Sequence, residues 1–271
     1  MIRRKFTFAD GTAGWLFISQ VEHARVSGEI ARAWREPFSQ EAIDGITHHD
    51  DGWSDWETAP RIDLQRGRPL SFLELPIVDA LNIWNRSIEA AHQFGDLAGA
   101  IVAGHFLGLA RGSDQAGLPL VVHWSQGWQL FRDGWIAQWR NQEQSNTPQE
   151  FDRAQQMLLA ADLLSLWLCM DGPISSVDDD SHLNSEMQSR SATVLGTYRF
   201  EMRSQTLAGD CLDWCGSLAP WPFAADHVEL VAPVLAAPVG RYADWPSILT
   251  VSRPLELRWR LRQTLPGSGE C

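Results

Sequence analysis

The sequence predicts a mainly α fold: a helical bundle carrying a small antiparallel β-sheet formed by the C-terminal third and joined by an N-terminal hairpin. Three observations predict it. Apolar residues recur at helical spacing in successive segments between residues 19 and 170, most of them opened by a capping residue or a proline. Near the two ends of the chain the period changes to the apolar-polar alternation of half-buried strands. Between these regions GPISSVDDDSHLNSEMQSRS has no apolar period, which divides the chain into a helical domain over 1–172, a polar linker over 173–191 and a β-rich appendage over 192–271.

Phe6 and Phe8 alternate with polar residues and Asp10-Gly11 supplies a turn, so the first elements form a hairpin. Ser19 with Glu22 has the spacing of a capping box, and the helix that follows carries His23, Val26, Ile30 and Trp34 on one stripe. After Pro37, Ser39 caps a second helix whose buried face is marked by Ile43 and Ile46, so His49 and Asp50 point inward at its end and His48 turns away. Gly52 is expected to stop that helix as a left-handed residue, and Trp53 to Pro76 to form a long ordered loop. Pro76 opens a third helix with Ile77, Leu81, Trp84 and Ile88 on one face, and Asp96 caps a fourth, AGAIVAGHFLGLA, which contains His105. A further helix is read from Trp124 to Trp139. Thr147, Pro148 and Glu150 then start a long helix that carries Asp162. Tyr198, Phe200 and Met202, and later Leu255, Leu257, Trp259 and Leu261, alternate with polar residues as strands.

Composition limits the function. A hydrophobic fraction of 44% over 271 residues supports a substantial core. The net charge of −12, with no long basic run, argues against a nucleic-acid polymer as partner and favours a small molecule or a protein. The longest apolar stretch, MLLAADLLSLWLCM, is too short to span a bilayer, and MIRRKFTFADG lacks a signal-peptide core; both point to a cytoplasmic protein with no membrane partner. Four cysteines without a paired spacing read as free thiols. Lys5 is the only lysine, so an anionic ligand would be met by arginine, histidine, metal or backbone.

Five ionisable side chains are expected on inward faces of four helices: His23, His49 with Asp50, His105 and Asp162. A charge in an apolar interior must be neutralised, paired or coordinated, and Asp162 has no basic residue one turn away on its own helix. Facing helices that each contribute one or two such groups are the arrangement of a metal site in a bundle. Taken alone, Asp162 is more readily satisfied by a buried arginine or a helix cap than by a metal, and His105 is as readily a satisfied core histidine as a ligand. His92 shares the stripe of Ile88 and is a reserve ligand, while His48, His123, His182 and His227 read as surface or structural. Trp53, Trp56 and Arg86 are candidates for a substrate pocket, with Arg61, Arg66 and Arg68 as further anion contacts; structural tryptophans and solvated arginines are the alternative.

A histidine, an adjacent His-Asp pair at the end of the next helix and a distant aspartate in a later apolar helix resemble the signature of the HD-domain superfamily of metal-dependent phosphohydrolases. Here these are His23, His49-Asp50 and Asp162. The strings QVEHARVSGEIARAW and HHDDGWSDWETAP, with PWPF near Trp221 and LELRWRL, more narrowly resemble the bacterial domain of unknown function 3891 family over most of the chain.

The resemblance implies an HD-domain-like helical bundle in which His23, His49, Asp50 and Asp162 ligate a divalent ion (Mn, Fe, Ni, Zn or Mg), with His105 added for that ion or a second one. It also implies catalysis by His49 and Asp50 through a metal-activated water attacking an anionic, phosphorylated small molecule or nucleotide. A lysine that many hydrolytic members carry after the His-Asp pair is replaced here by Asp51, Gly52 and Trp53. Asp51 is either an acceptor for a ligating histidine or an exposed helix-end residue. An HD-like di-iron oxygenase and a non-catalytic sensing or assembly protein are therefore rival readings, and a homodimer is left open.

Overall fold

Alternation at both ends of the chain builds one sheet. In the computed structural model, which describes residues 1–170, 199–208 and 210–263, strands β1 (Ile2–Thr7) and β2 (Ala13–Ile18) form the N-terminal hairpin. Its turn closes where Phe8 N–H donates to Thr12 O at 2.8 Å, with Gly11 at φ 84°. The short strands β3 (Ile62–Asp63) and β4 (Arg68–Pro69) pair separately. The remaining strands are β5 (Arg199–Ala208), β6 (Cys211–Ala219), β7 (His227–Pro238) and β8 (Arg253–Arg262).

The sheet order is β1-β2-β7-β8-β6-β5. β2 pairs antiparallel to β7, with Leu16 opposite Ala236, so the two ends of the chain meet in the middle of the sheet. β6 and β8 are parallel, so the sheet is mixed.

The helices are α1 (Gln20–Ala33), α2 (Gln40–Thr47), α3 (Ser54–Thr58), α4 (Ile77–His92), α5 (Asp96–Arg111), α6 (Pro119–Gln142), α7 (Pro148–Met170) and α8 (Trp245–Leu249). Helical and strand residues share a single apolar cluster, with Ile30, Ile46, Ile101 and Leu158 in the same core as Leu16, Leu230, Leu257 and Trp259. Burying each such side chain contributes about 1.5–3 kcal/mol, and here the sheet face and the helices can realise it only against one another. This overturns the mainly α expectation: the fold is α/β, a six-stranded mixed sheet with helices packed on it. The alternating strands are legible in the sequence, but the parallel pairing of β6 with β8 is not.

Several local readings also change. The segment from Trp53 to Pro76, expected as loop, contains α3, the β3–β4 pair and a single 3-10 turn at Phe72–Glu74. α6 starts at Pro119, earlier than the expected Trp124. The N-cap of α5 is Gly95 rather than Asp96, and Glu41 of α2 supplies the missing acceptor by taking the Leu97 N–H at 2.6 Å. Cys169 and Cys211 are free thiols, whereas Cys215 is disulfide-bonded, unlike the expectation of four free thiols. Tyr198 and the 173–191 linker lie outside the described residues. Among the described residues no helix is long and apolar enough to cross a membrane.

Candidate metal centre

Three stretches of chain bring the cluster together. α1 begins where Ser19 Oγ accepts the Val21 N–H at 3.1 Å, and Glu57 takes the Gln20 N–H at 2.8 Å. Glu22, expected to close the capping box, pairs with Arg25 instead. One turn into α1, His23 faces inward on the stripe that continues through Val26 and Ile30, all buried. α7 begins where Thr147 Oγ1 accepts the Glu150 N–H at 3.2 Å, and its inward face presents Asp162 to α1.

His49 and Asp50 do not lie on a helix. α2 stops at Thr47, and the pair occupies the turn between α2 and a 3-10 segment at Asp51–Trp53. Gly52 has no positive φ, contrary to the expected left-handed stop. Its role is close approach: an added Cβ would collide with the Ile83 carbonyl and the Ser87 amide of α4. Gly52 N–H donates to Ser87 Oγ at 3.1 Å, which locks the turn against α4 and holds both ligand candidates inward. Gly28 has the same function where α1 meets Thr47 of α2.

His23, His49 and Asp162 each offer a ligand atom, and these atoms lie within 4.8 Å of one another. His23 Nε2 is 2.9 Å from Asp162 Oδ1, and His49 Nε2 is 3.5 Å from the same oxygen. Asp50 Oδ2 lies 3.7 Å from His49 Nε2 and 3.9 Å from His23 Nε2, facing the same volume. The His105 ring is edge-on to His49 with centroids 5.5 Å apart, at the margin of the cluster. Both histidines of the triad are buried to 1% exposure or less, while Asp50 and Asp162 retain 5% and 8%, so solvent approaches from the carboxylate side.

Second contacts fix the rings. His49 Nδ1 donates to the Ile46 carbonyl at 2.7 Å, which turns Nε2 toward the carboxylates. That Nε2 is buried and has no hydrogen-bond partner, although two carboxylates stand within 4 Å. His23 Nδ1 meets Ser165 Oγ, and Ser165 Oγ lies 2.8 Å from Ser27 Oγ and 3.3 Å from the Asp162 carbonyl. Neither serine was singled out from the sequence. The signal was their helical spacing, Ser165 three residues after Asp162 and Ser27 four after His23.

The electrostatics follow from burial and proximity. Burial lowers the His49 pKa, but the charges of Asp50 and Asp162 outweigh it and raise the imidazole to about 9. Burial pushes Asp162 up, yet the imidazoles of His23 and His49 hold its carboxyl well below the usual carboxylate range. Asp50 is raised, by burial first and by the charge of Asp162, against the pull of the two histidines. Without a metal, a proton on His49 keeps two buried carboxylates tolerable.

The other candidates lie elsewhere. Trp53 is buried with its ring edge-on to Trp56 at 5.6 Å, and Trp56 packs on the small core of Trp15, Phe17 and Trp245. Arg86 pairs with Asp55 at 2.7 Å on the surface, Arg61 with Asp79 at 2.5 Å, and both Arg66 and Arg68 with Glu74. His92 stacks on Trp135 at 4.1 Å beside Asp96. Asp51 accepts from His48, which stacks on Phe94.

The molecule is thus an α/β protein with a buried histidine-aspartate cluster at the junction of α1, the α2 turn and α7, of a composition able to hold a metal ion. The chain belongs to the family of proteins of unknown function DUF3891, whose family model matches residues 6–236 and so spans every member of the cluster. No curated protein and no solved structure matches it.

Proposed function

We propose that this protein is a metal-dependent hydrolase of a phosphorylated small molecule, with His23, His49 and Asp162 as metal ligands and Asp50 beside them. The observation that carries the reading is His49 Nε2: buried, aimed by its Ile46 contact at two carboxylates, and without a hydrogen bond of its own. Such an atom costs about 1–3 kcal/mol unless something satisfies it. Two imidazole nitrogens and a carboxylate oxygen suit zinc, iron, manganese or nickel, and three protein ligands with an open position are the usual arrangement of a catalytic site. A cation bound there supplies a Lewis acid and lowers the pKa of a coordinated water.

The chain's own residues do the rest. Asp50 Oδ2 faces the same volume from the side where solvent enters, and accepts the proton of an attacking water. Ser165 serves His23 in either tautomer, because a hydroxyl can donate to Nδ1 or accept from it. With Nε2 committed to a metal, the Nδ1 proton goes to Ser165 Oγ, whose own proton can go to the Asp162 carbonyl. Arg61, Arg66, Arg68 and Arg86 already face carboxylates, so the substrate's negative charge is met at the centre itself. The order of the ligands along the chain, similar to that of HD-domain hydrolases, supports the same reading.

One observation favours oxidation by dioxygen as a second reading. The His105 ring beside His49 extends the donor set toward a second ion. Release of phosphate from a panel of phosphomonoesters and nucleotides, lost in a folded Asp50→Ala variant, is the result expected for the hydrolase. Two irons per chain and oxygen consumption without phosphate release would replace it with the di-iron oxygenase.

A further inference from the structure

A cavity of about 410 Å³ lies where α2, α5 and α7 begin and α6 ends, with Glu41, Trp139, Gln142, Glu143, Asn146 and Arg153 on its walls. That volume is in the range of small-molecule sites. Eight residues, about 12 Å of helix, separate Leu97 on its wall from His105, and the same rise separates Ala154 from Asp162. The cavity is therefore a second site and not an extension of the metal centre.

Its chemistry follows from which hydrogen-bonding groups are already used. Gln142 donates its amide to Asp96 at 2.9 Å, and Asn146 donates to the Trp139 carbonyl at 2.6 Å. Arg153 is spent on Glu150 at 3.0 Å and on the Pro37 carbonyl at 2.9 Å. Ser145 gives its proton to Glu143 at 3.1 Å. These donors serve the protein itself, while the side-chain oxygens of Gln142 and Asn146 and the second carboxylate oxygen of Glu143 accept nothing among the described residues. Charge points the same way. Glu150 is paired with Arg153, but Glu41 and Glu143 have no cation within ion-pair distance among the described residues. Glu41 is half-buried where it takes the Leu97 N–H, and burial pushes its carboxyl up. A partly buried carboxylate without a counter-charge is costly, and a bound cation relieves that cost.

We propose that this cavity binds a small molecule carrying two or more protonated amino groups, one ammonium held by Glu41 and another by Glu143 with the free amide oxygens of Gln142 and Asn146. Each ammonium brings three N–H donors and no acceptor, the complement of walls whose own donors are spent. The Trp139 ring on the wall is a favourable neighbour for a cation. An anion would meet three glutamates and a single arginine that is already paired. A quaternary ammonium has no N–H and would leave the free oxygens unmet.

Calorimetric titration of the metal-free full chain with putrescine and with spermidine tests this separately from the hydrolase reading. The titration is run at about 0.15 M ionic strength, where diffuse attraction to an acidic surface is screened. One saturable site per chain is expected with at least one of the two amines, and none with choline or 1,4-butanediol. Glu143→Gln and Glu41→Gln are each expected to weaken binding about tenfold or more, the loss for a hydrogen bond to a charged group. Glu143 is exposed, so its substitution leaves the fold intact, and an amide oxygen at position 41 still accepts the Leu97 N–H. If Glu41→Gln does not fold, Glu143→Gln decides alone. No saturable binding of either amine overturns the proposal. So does undiminished binding in Glu143→Gln, which places the amine elsewhere on the surface, and so does equal binding of choline.

Discussion

Replacing Asp162 by asparagine keeps the shape of the side chain and removes its charge. Asp162 faces His23 at 2.9 Å and His49 at 3.5 Å, all three buried. In metal-free protein the amide oxygen still accepts from His23, so the loss is the difference between a charged and a neutral hydrogen bond plus weaker compensation of His49, about 1–3 kcal/mol. Because the Asp162 carboxyl is held low, its stabilising contribution is complete at neutral pH and fades only as pH falls through the acidic range. Asp162→Ala leaves two imidazoles facing a hole and should cost about 3–5 kcal/mol.

The more telling quantity is the response to metal. A divalent ion at a hundredfold excess over its dissociation constant stabilises a native site by about 2.7 kcal/mol. For a chain of this size that is roughly 5–10 °C in melting temperature. Urea titrations and melts of both variants, each with and without zinc, manganese and ferrous iron, separate the two effects. The wild type should gain stability with at least one ion, and Asp162→Asn should lose most of that gain. An Asp162→Asn protein with the full metal-dependent gain would refute the ligand assignment at its most distinctive residue.

Three further outcomes follow from the same geometry. His49, raised to about 9 in the metal-free protein, contributes stability that is complete below its unfolded value of about 6.5 and is lost as pH rises through about 9. Metal binding near pH 7.5 should therefore release about one proton per ion, measurable by calorimetry in buffers of different ionisation enthalpy, and no proton release would contradict the role of His49. Ser165→Ala removes the partner of His23 Nδ1 and should weaken metal binding about 10–100-fold with little change in fold; unchanged affinity would make that contact incidental. Gly52→Ala sets a methyl group against the α4 backbone and should destabilise the protein by about 1–3 kcal/mol or more in a thermal melt, while a neutral result would mean that the turn and α4 separate easily.

Much of the cluster could be read from helical period. His23 lay on the stripe of Val26 and Ile30, and Asp162 stood among leucines and alanines with no partner on its own helix. Both burials depend on spacing within one element, which a sequence displays directly. His49 and Asp50 were correctly directed inward, though from a turn and not a helix, because the contact that sets the turn is Gly52 on α4, remote in sequence. Ser27 and Ser165 escaped notice because a helical serine bonding to its own carbonyls looks the same in sequence as one bridging two helices.

The fold class failed for a different reason. β8 alternates clearly, but β7 ends in the small apolar run LAAP and β6 places Gly216 on its buried face. β6 and β8 pair in parallel in a sheet expected to be antiparallel, a contact that local periodicity does not encode. The carboxylate partners of the candidate anion-contact arginines, Asp55, Asp79 and Glu74, were likewise not legible, since they meet those arginines only after folding.

Elemental analysis of the full chain, purified without chelator and without added metal, tests the central claim most directly. The structure's buried donor set predicts one first-row transition-metal ion per chain, lost in separate His23→Ala, His49→Ala and Asp162→Ala proteins that remain folded. No stoichiometric metal, together with no shift in melting temperature on adding any divalent ion, would contradict it.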